Sequence, residues 1–348
     1  MTFKRVRVWP GRRNVNAAAA SALLFFAAAC SRGADPEPEA VETPEPPAAS
    51  GVELPAVWAT AALDKPIREA ALGGGGEPFL ALAYEGGGLQ MFNLDADRIS
   101  PVADYDVLAL AEGQPAEIDG AAFTLFPAAT AEGGLAGYIF GGQLDAPAEI
   151  ALPGADGVTV AGVCAGPAVQ PEALFRLAYW TEDAPEILLQ GLTGVEDGVF
   201  TWRALEAYAS PSEIADCTLT GTAAIVAHDG GVVWIENSEP SALEGSENLA
   251  QTAWLDTANG DYVVARTPAG RLKIAEAGGG FRALSVRDGI TMAAPPSTRA
   301  IAALGQPRFG GYPGGLIVLA GETAQGHQAV FVDTAALRPE AAEDAPAN

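Results

Sequence analysis

Short apolar runs, each ended by Gly, Pro, Asp or Asn, recur along this chain from residue 52 onward. Phe79–Ala83, Leu135–Phe140, Leu174–Trp180, Thr222–Ala227, Val232–Ile235 and Leu316–Leu319 are examples. Apolar segments this short, separated by turn residues, read as strands joined by hairpins. Few stretches keep helical spacing over three turns, and Leu205–Tyr208 is at most a turn. The 41 glycines supply turn positions. Roughly twenty strands fit between residues 52 and 337, whereas a sandwich needs about seven to nine. The expectation is an all-β propeller of four-stranded blades, five or six in number. No fixed sequence period marks the blades.

The N-terminal segment sets the compartment. Residues 1–13 carry Lys4, Arg5, Arg7, Arg12 and Arg13 and no acid, and Ala17–Ala29 carries no charge. That apolar run is shorter than the ~20 residues a spanning helix needs. With Cys30 following Ala29, the segment resembles a bacterial lipoprotein signal over residues 1–29. The resemblance implies export, cleavage before Cys30 and lipidation of its thiol. With Ser31 next, it implies an outer-membrane address. An ordinary signal peptide cut near Ala29 is the plainer reading. Residues 30–51, rich in Pro, Glu and Ala, and 338–348 read as disordered.

Loss of residues 1–29 would remove five of 19 basic residues and none of 44 acidic ones, leaving 14 − 44 = −30. Such a surface repels nucleic acid and anionic headgroups. Only Lys65 and Lys273 remain as lysines. Cys164 and Cys217 belong to no Cys-x-x-Cys pair, and an oxidising compartment would let them form a disulfide. His228 and His327 are too far apart in sequence to suggest a zinc site. Gly73–Gly76 lacks the Lys-Ser/Thr of a phosphate-binding loop and reads as a connecting loop. Trp58, Trp180, Trp202, Trp234 and Trp254 read as inter-blade core.

Four segments in order carry a family resemblance: Pro55–Trp58, Gly88–Asp95, Ser212–Trp234 with Ser238–Pro240, and Tyr312–Val318 with Gly321 and Val330–Val332. Together they resemble the β-propeller phytases, six-bladed enzymes that hydrolyse phytate with calcium ions held at one end of the channel. The resemblance implies a six-bladed propeller over residues 52–337. What is kept is strand and turn residues; the losses fall on the chemistry. Glu53, Glu213 and Asp229 stand at matching carboxylate positions and are the candidate calcium ligands. The family's Lys falls near Glu85, a charge reversal. Arg299 stands where a calcium-facing Asp is expected.

Calcium takes six to eight oxygen ligands, so three carboxylates suit one weak ion better than a catalytic cluster. Arg299 suggests direct capture of an anion by its guanidinium instead. The reading favoured is a lipid-anchored binding or scaffolding module with a degenerate calcium and phosphate site. Its partner would be a protein or a phosphorylated small molecule. The alternatives are a divergent calcium-dependent phosphoesterase and a solute-binding or assembly propeller.

Overall fold

A computed structural model describes residues 51–74, 78–118, 120–305 and 311–337. The leader, Cys30, most of the tether and the 338–348 tail lie outside them. Among the described residues the regular structure is strand alone, from β1 to β25.

Strand β1 (Val52–Ala59) is first in sequence and last in the architecture. Blade 1 is β2 (Ile67–Gly73), β3 (Phe79–Tyr84) and β4 (Leu89–Phe92). In blade 2, β5 (Val107–Leu110) and β6 (Gln114–Ile118) pair with successive parts of β7 (Ala121–Thr130), followed by β8 (Leu135–Phe140) and β9 (Ala148–Ala151). Blade 3 is β10 (Val160–Pro167), β11 (Phe175–Thr181), β12 (Ala184–Glu196) and β13 (Val199–Ala204), with β14 (Tyr208–Ala209) beside β12. Blade 4 is β15 (Ile214–Leu219), β16 (Ala223–His228), β17 (Gly231–Glu236) and β18 (Glu239–Ala242). Blade 5 is β19 (Gln251–Thr257), β20 (Gly260–Arg266), β21 (Leu272–Glu276) and β22 (Arg282–Arg287). Blade 6 is β23 (Thr298–Leu304), β24 (Leu316–Thr323), β25 (Gly326–Asp333) and then β1.

The innermost strands β2, β5, β10, β15, β19 and β23 touch in that order, and β23 touches β2. The ring is closed. Its core is a set of apolar slabs, one between each pair of neighbouring blades. Leu82 and Phe92 meet Val318 and Phe331 between blades 1 and 6. Ala81 and Met91 meet Phe126 and Tyr138 between blades 1 and 2. The same pattern continues with Leu125 and Phe175, Trp180 and Val226, Ile225 and Val263, and Leu255 and Ile301. Side chains alternate between the two faces of a strand. Alternate residues of β3 therefore enter different slabs, and all six of its residues are buried. A blade packed on both faces reads as a continuous apolar run rather than an alternating one.

Three features hold the ring. First, β1 pairs antiparallel with β25 and parallel with β22, so the N-terminal strand completes the C-terminal blade. Being outermost, it leaves Trp58 55% exposed, which corrects its assignment to the core. Second, Cys164 on β10 and Cys217 on β15 form a disulfide between the inner strands of blades 3 and 4. Closing a loop of 53 residues is worth about 4 kcal/mol in the chain-entropy view. Third, Gly73 bridges Gly113, with the Gly113 amide donating to the Leu72 carbonyl at 3.0 Å. Gly73 therefore ends strand β2 and joins blades 1 and 2. A Cβ on Gly113 would come within 2.6 Å of both Gly73 Cα and Phe126 Cε1. Gly113→Ala is expected to destabilise the fold by about 1–3 kcal/mol, as overpacking does. Urea or thermal unfolding measures this, and an unchanged midpoint would show that these strands can part at no cost.

Candidate functional site

A structural repeat invisible in the sequence sits where the inner strands begin. Pairing skips one residue between Ile67 and Glu69, between Val107 and Ala109, between Val160 and Gly162, between Ile214 and Asp216, and between Thr298 and Ala300. Five of the six inner strands thus carry a bulge at their second residue, and only β19 pairs without a break. A bulge re-aims the side chain of the unpaired residue. The bulged residues are Arg68, Leu108, Ala161, Ala215 and Arg299. The two arginines belong to adjacent blades, 1 and 6.

Around them lies a cleft of about 640 Å³, lined among others by Arg68, Glu85, Arg266, Ser297, Thr298 and Arg299. Each arginine is held on one side only. Arg68 Nη1 donates to the Val107 carbonyl at 3.1 Å and lies 3.6 Å from Asp106. Arg299 Nη1 pairs with Glu85 Oε1 at 2.5 Å. Arg266 Nε donates to Gln251 Oε1 at 3.0 Å, and among the described residues its two terminal nitrogens have no partner. Both side chains of the Arg299–Glu85 pair are nearly half exposed, at 45% and 46%, so the pair adds little to stability. Its value is positional: it fixes Arg299 on the rim.

Beneath the cleft the channel narrows to about 30 Å³, room for about one water. Glu112 and Asp216 line it, and Glu69 stands near enough to feel the charge of Asp216. Asp216 Oδ2 accepts the Thr252 amide at 2.6 Å and the Thr252 hydroxyl at 3.1 Å. Glu69 Oε2 accepts from Gln251 Nε2 at 3.1 Å, while Gln251 Oε1 also accepts the Ile301 amide at 2.9 Å. Glu112 reaches across the ring from blade 2 to accept the backbone amide of Trp254 in blade 5. Its other oxygen, Oε1, is enclosed without a partner.

These groups keep partial contact with the lumen, yet protein surrounds them on every side. Burial therefore disfavours their ionised forms. It pushes Glu69 up to about 8, helped by Asp216 and opposed by Arg266, Arg68 and Gln251. Burial likewise pushes Glu112 to about 8 against the Trp254 amide. It pushes Asp216 to about 7, against the hydrogen bonds from Thr252, the charge of Arg266 and the Cys217 amide. Burial also lowers Arg266, while Glu69 and Asp216 raise it.

The candidates read from sequence divide. Glu213 and Asp229 flank the paired residues Ile214 and His228, so blade 4 brings them side by side, both exposed. Glu53 does not join them. It lies in outermost β1 opposite Ser285, beyond the end of β25 and outside blade 4. The three-carboxylate calcium set is therefore not assembled. Among the described residues, no group of three His, Cys, Asp or Glu side chains is disposed to hold a metal. Arg299 does reach the mouth, and its partner is Glu85: the two sign changes noted in the sequence face each other. Arg68, Glu69, Glu112, Asp216 and Arg266 were not legible, because no motif surrounds them.

No protein-family model matches the sequence, and no curated protein does. Among solved structures, the chain is similar to BBS1N from a crystal structure of BBS1N in complex with ARL6DN soaked with lead. The TM-score is 0.50 at 12% identity, covering 83% of this chain and 99% of that one. The shared fold is the β-propeller. A mercury-soaked crystal of the same complex gives 0.46 at 10% identity. Identity this low speaks for the fold alone.

The channel carboxyls make stability pH-dependent. Unfolded, they ionise near pH 4; folded, they keep their protons to about pH 7–8. Their contribution is complete below about pH 4 and is lost as pH rises through 7 to 8. The melting temperature is expected to fall between pH 5 and 9. Glu112→Gln keeps an acceptor for Trp254 and carries no charge. It should flatten that fall and raise the pH 9 melting temperature by about 2–4 °C per kcal/mol recovered. An unchanged slope would remove Glu112 from this account.

Proposed function

We propose that this chain is an exported, lipid-anchored propeller that binds an anionic group, such as a phosphoryl ester, in the arginine cleft and works as a binding or scaffolding module. One observation carries the reading: three of the fourteen Lys and Arg after residue 29 converge on one cleft in a chain of formal charge −25. Guanidinium forks suit oxyanions through paired, charge-assisted hydrogen bonds. A volume near 640 Å³ lies within the range of small-ligand sites. BBS1N in its crystal is a propeller in complex with a protein, which supports binding as a use of such a scaffold. The disulfide supports an oxidising compartment, as export through the Cys30 signal would provide.

A divergent calcium-dependent phosphoesterase, related to the β-propeller phytases, is the second reading. The neighbouring carboxylates Glu213 and Asp229 favour it. The two separate in one set of assays on the mature chain. Titration with inorganic phosphate and sulfate is expected to show binding that Arg266→Ala or Arg299→Ala weakens by about tenfold or more. With calcium present, phytate and an aryl phosphate should release no phosphate. Calcium-dependent turnover lost in Glu213→Ala would replace the first reading with the second.

A further inference from the structure

One residue stands between the cleft and the channel carboxylates. Arg266 lines the cleft. From the other side it faces the channel carboxylates Glu69 and Asp216, close enough to feel both charges but paired with neither. Among the described residues its one side-chain hydrogen bond runs from Nε to Gln251 Oε1, which leaves the terminal nitrogens outside that contact. Gln251 in turn donates to Glu69, so arginine, amide and carboxyl form one line from the mouth into the channel.

We propose that Glu69 and Asp216 set the charge of the arginine cleft, so that capture of an anion at the mouth takes up protons and loss of those protons favours its release. The proposal rests on the cleft reading above and adds its regulation. With both carboxyls protonated, the charge of Arg266 is uncompensated and the cleft carries three guanidinium charges against Glu85 and Asp106. With both ionised, four carboxylates oppose three arginines and an incoming anion is repelled. Burial pushes Glu69 up to about 8 and Asp216 to about 7, so both change state near neutrality. The groups that act on the pair come from several blades. Arg68, Arg266, Gln251 and Asp216 act on Glu69. Thr252, Arg266 and the Cys217 amide act on Asp216, with Glu112 farther down the channel. Linkage makes the effect reciprocal: if protons strengthen anion binding, the anion must raise the carboxyl pKa values by the same free energy.

Sulfate is the probe, because it does not titrate between pH 6 and 9. Calorimetric titration of the mature chain in two buffers of different ionisation enthalpy gives affinity and proton uptake together. Binding is expected to weaken about tenfold from pH 6 to pH 9, the equivalent of one pKa unit. Net proton uptake should occur near pH 7.5. Glu69→Gln and Asp216→Asn should each reduce the pH slope while binding sulfate at pH 6 as the parent does. If one variant does not fold, the other and the parent's own proton uptake still decide. Sulfate binding with no pH slope and no proton uptake would overturn the coupling and leave the cleft reading intact. A slope unchanged in the folded variants would overturn it too, by placing the titration elsewhere. No sulfate binding at any pH would overturn the cleft reading and this inference with it.

Discussion

The innermost strand of each blade has an edge with nothing left to pair with. It faces the axis, where no further strand fits, and a buried backbone amide without an acceptor is costly. Side chains supply what a strand would have given. Asp216 takes the Thr252 amide of the next blade, Gln251 takes the Ile301 amide of the next, and Glu112 crosses the ring to the Trp254 amide. The channel is narrowed by this requirement. Its carboxylates are buried for the same reason, and their protons are held for the reason that they are buried. The electrostatics of the mouth begin with backbone groups that needed partners.

The same arrangement explains why the channel makes a poor metal centre. Oxygen donors for a hard cation must converge ionised on one point. Here the axial carboxylates are turned toward amides and burial disfavours their ionised forms, while the exposed acids Glu213 and Asp229 stand apart from Glu53. On the rim, Glu85 and Arg299 touch, so the local charge is balanced while a guanidinium stands at the entrance.

Strands were legible in the sequence where both faces are apolar. FLALAY and AAIVAH, the second strands of blades 1 and 4, stand out as unbroken hydrophobic runs. The innermost strands were harder to see. Four of the six, β2, β15, β19 and β23, carry channel or rim residues such as Glu69, Asp216, Gln251 or Arg299 that give them the look of loops. The part of the fold that holds the site was therefore the part whose composition hid it. Pairing between Cys164 and Cys217 could not be read from two thiols 53 residues apart, and became visible only once β10 and β15 were neighbours. The bulges leave no sequence trace at all, since Arg, Leu and Ala all occupy the skipped position.

The ring has two kinds of fastening. Blades 3 and 4 are riveted covalently, while between blades 5 and 6 β1 pairs with both β22 and β25 without any such link. Whatever pulls on the chain ahead of Val52 pulls first on that strand, and β1 has no covalent link to either neighbour. The strand that completes blade 6 is thus also the first to bear tension. Under load from its N-terminal end, the molecule would shed an outer strand while the inner strands still close the circle.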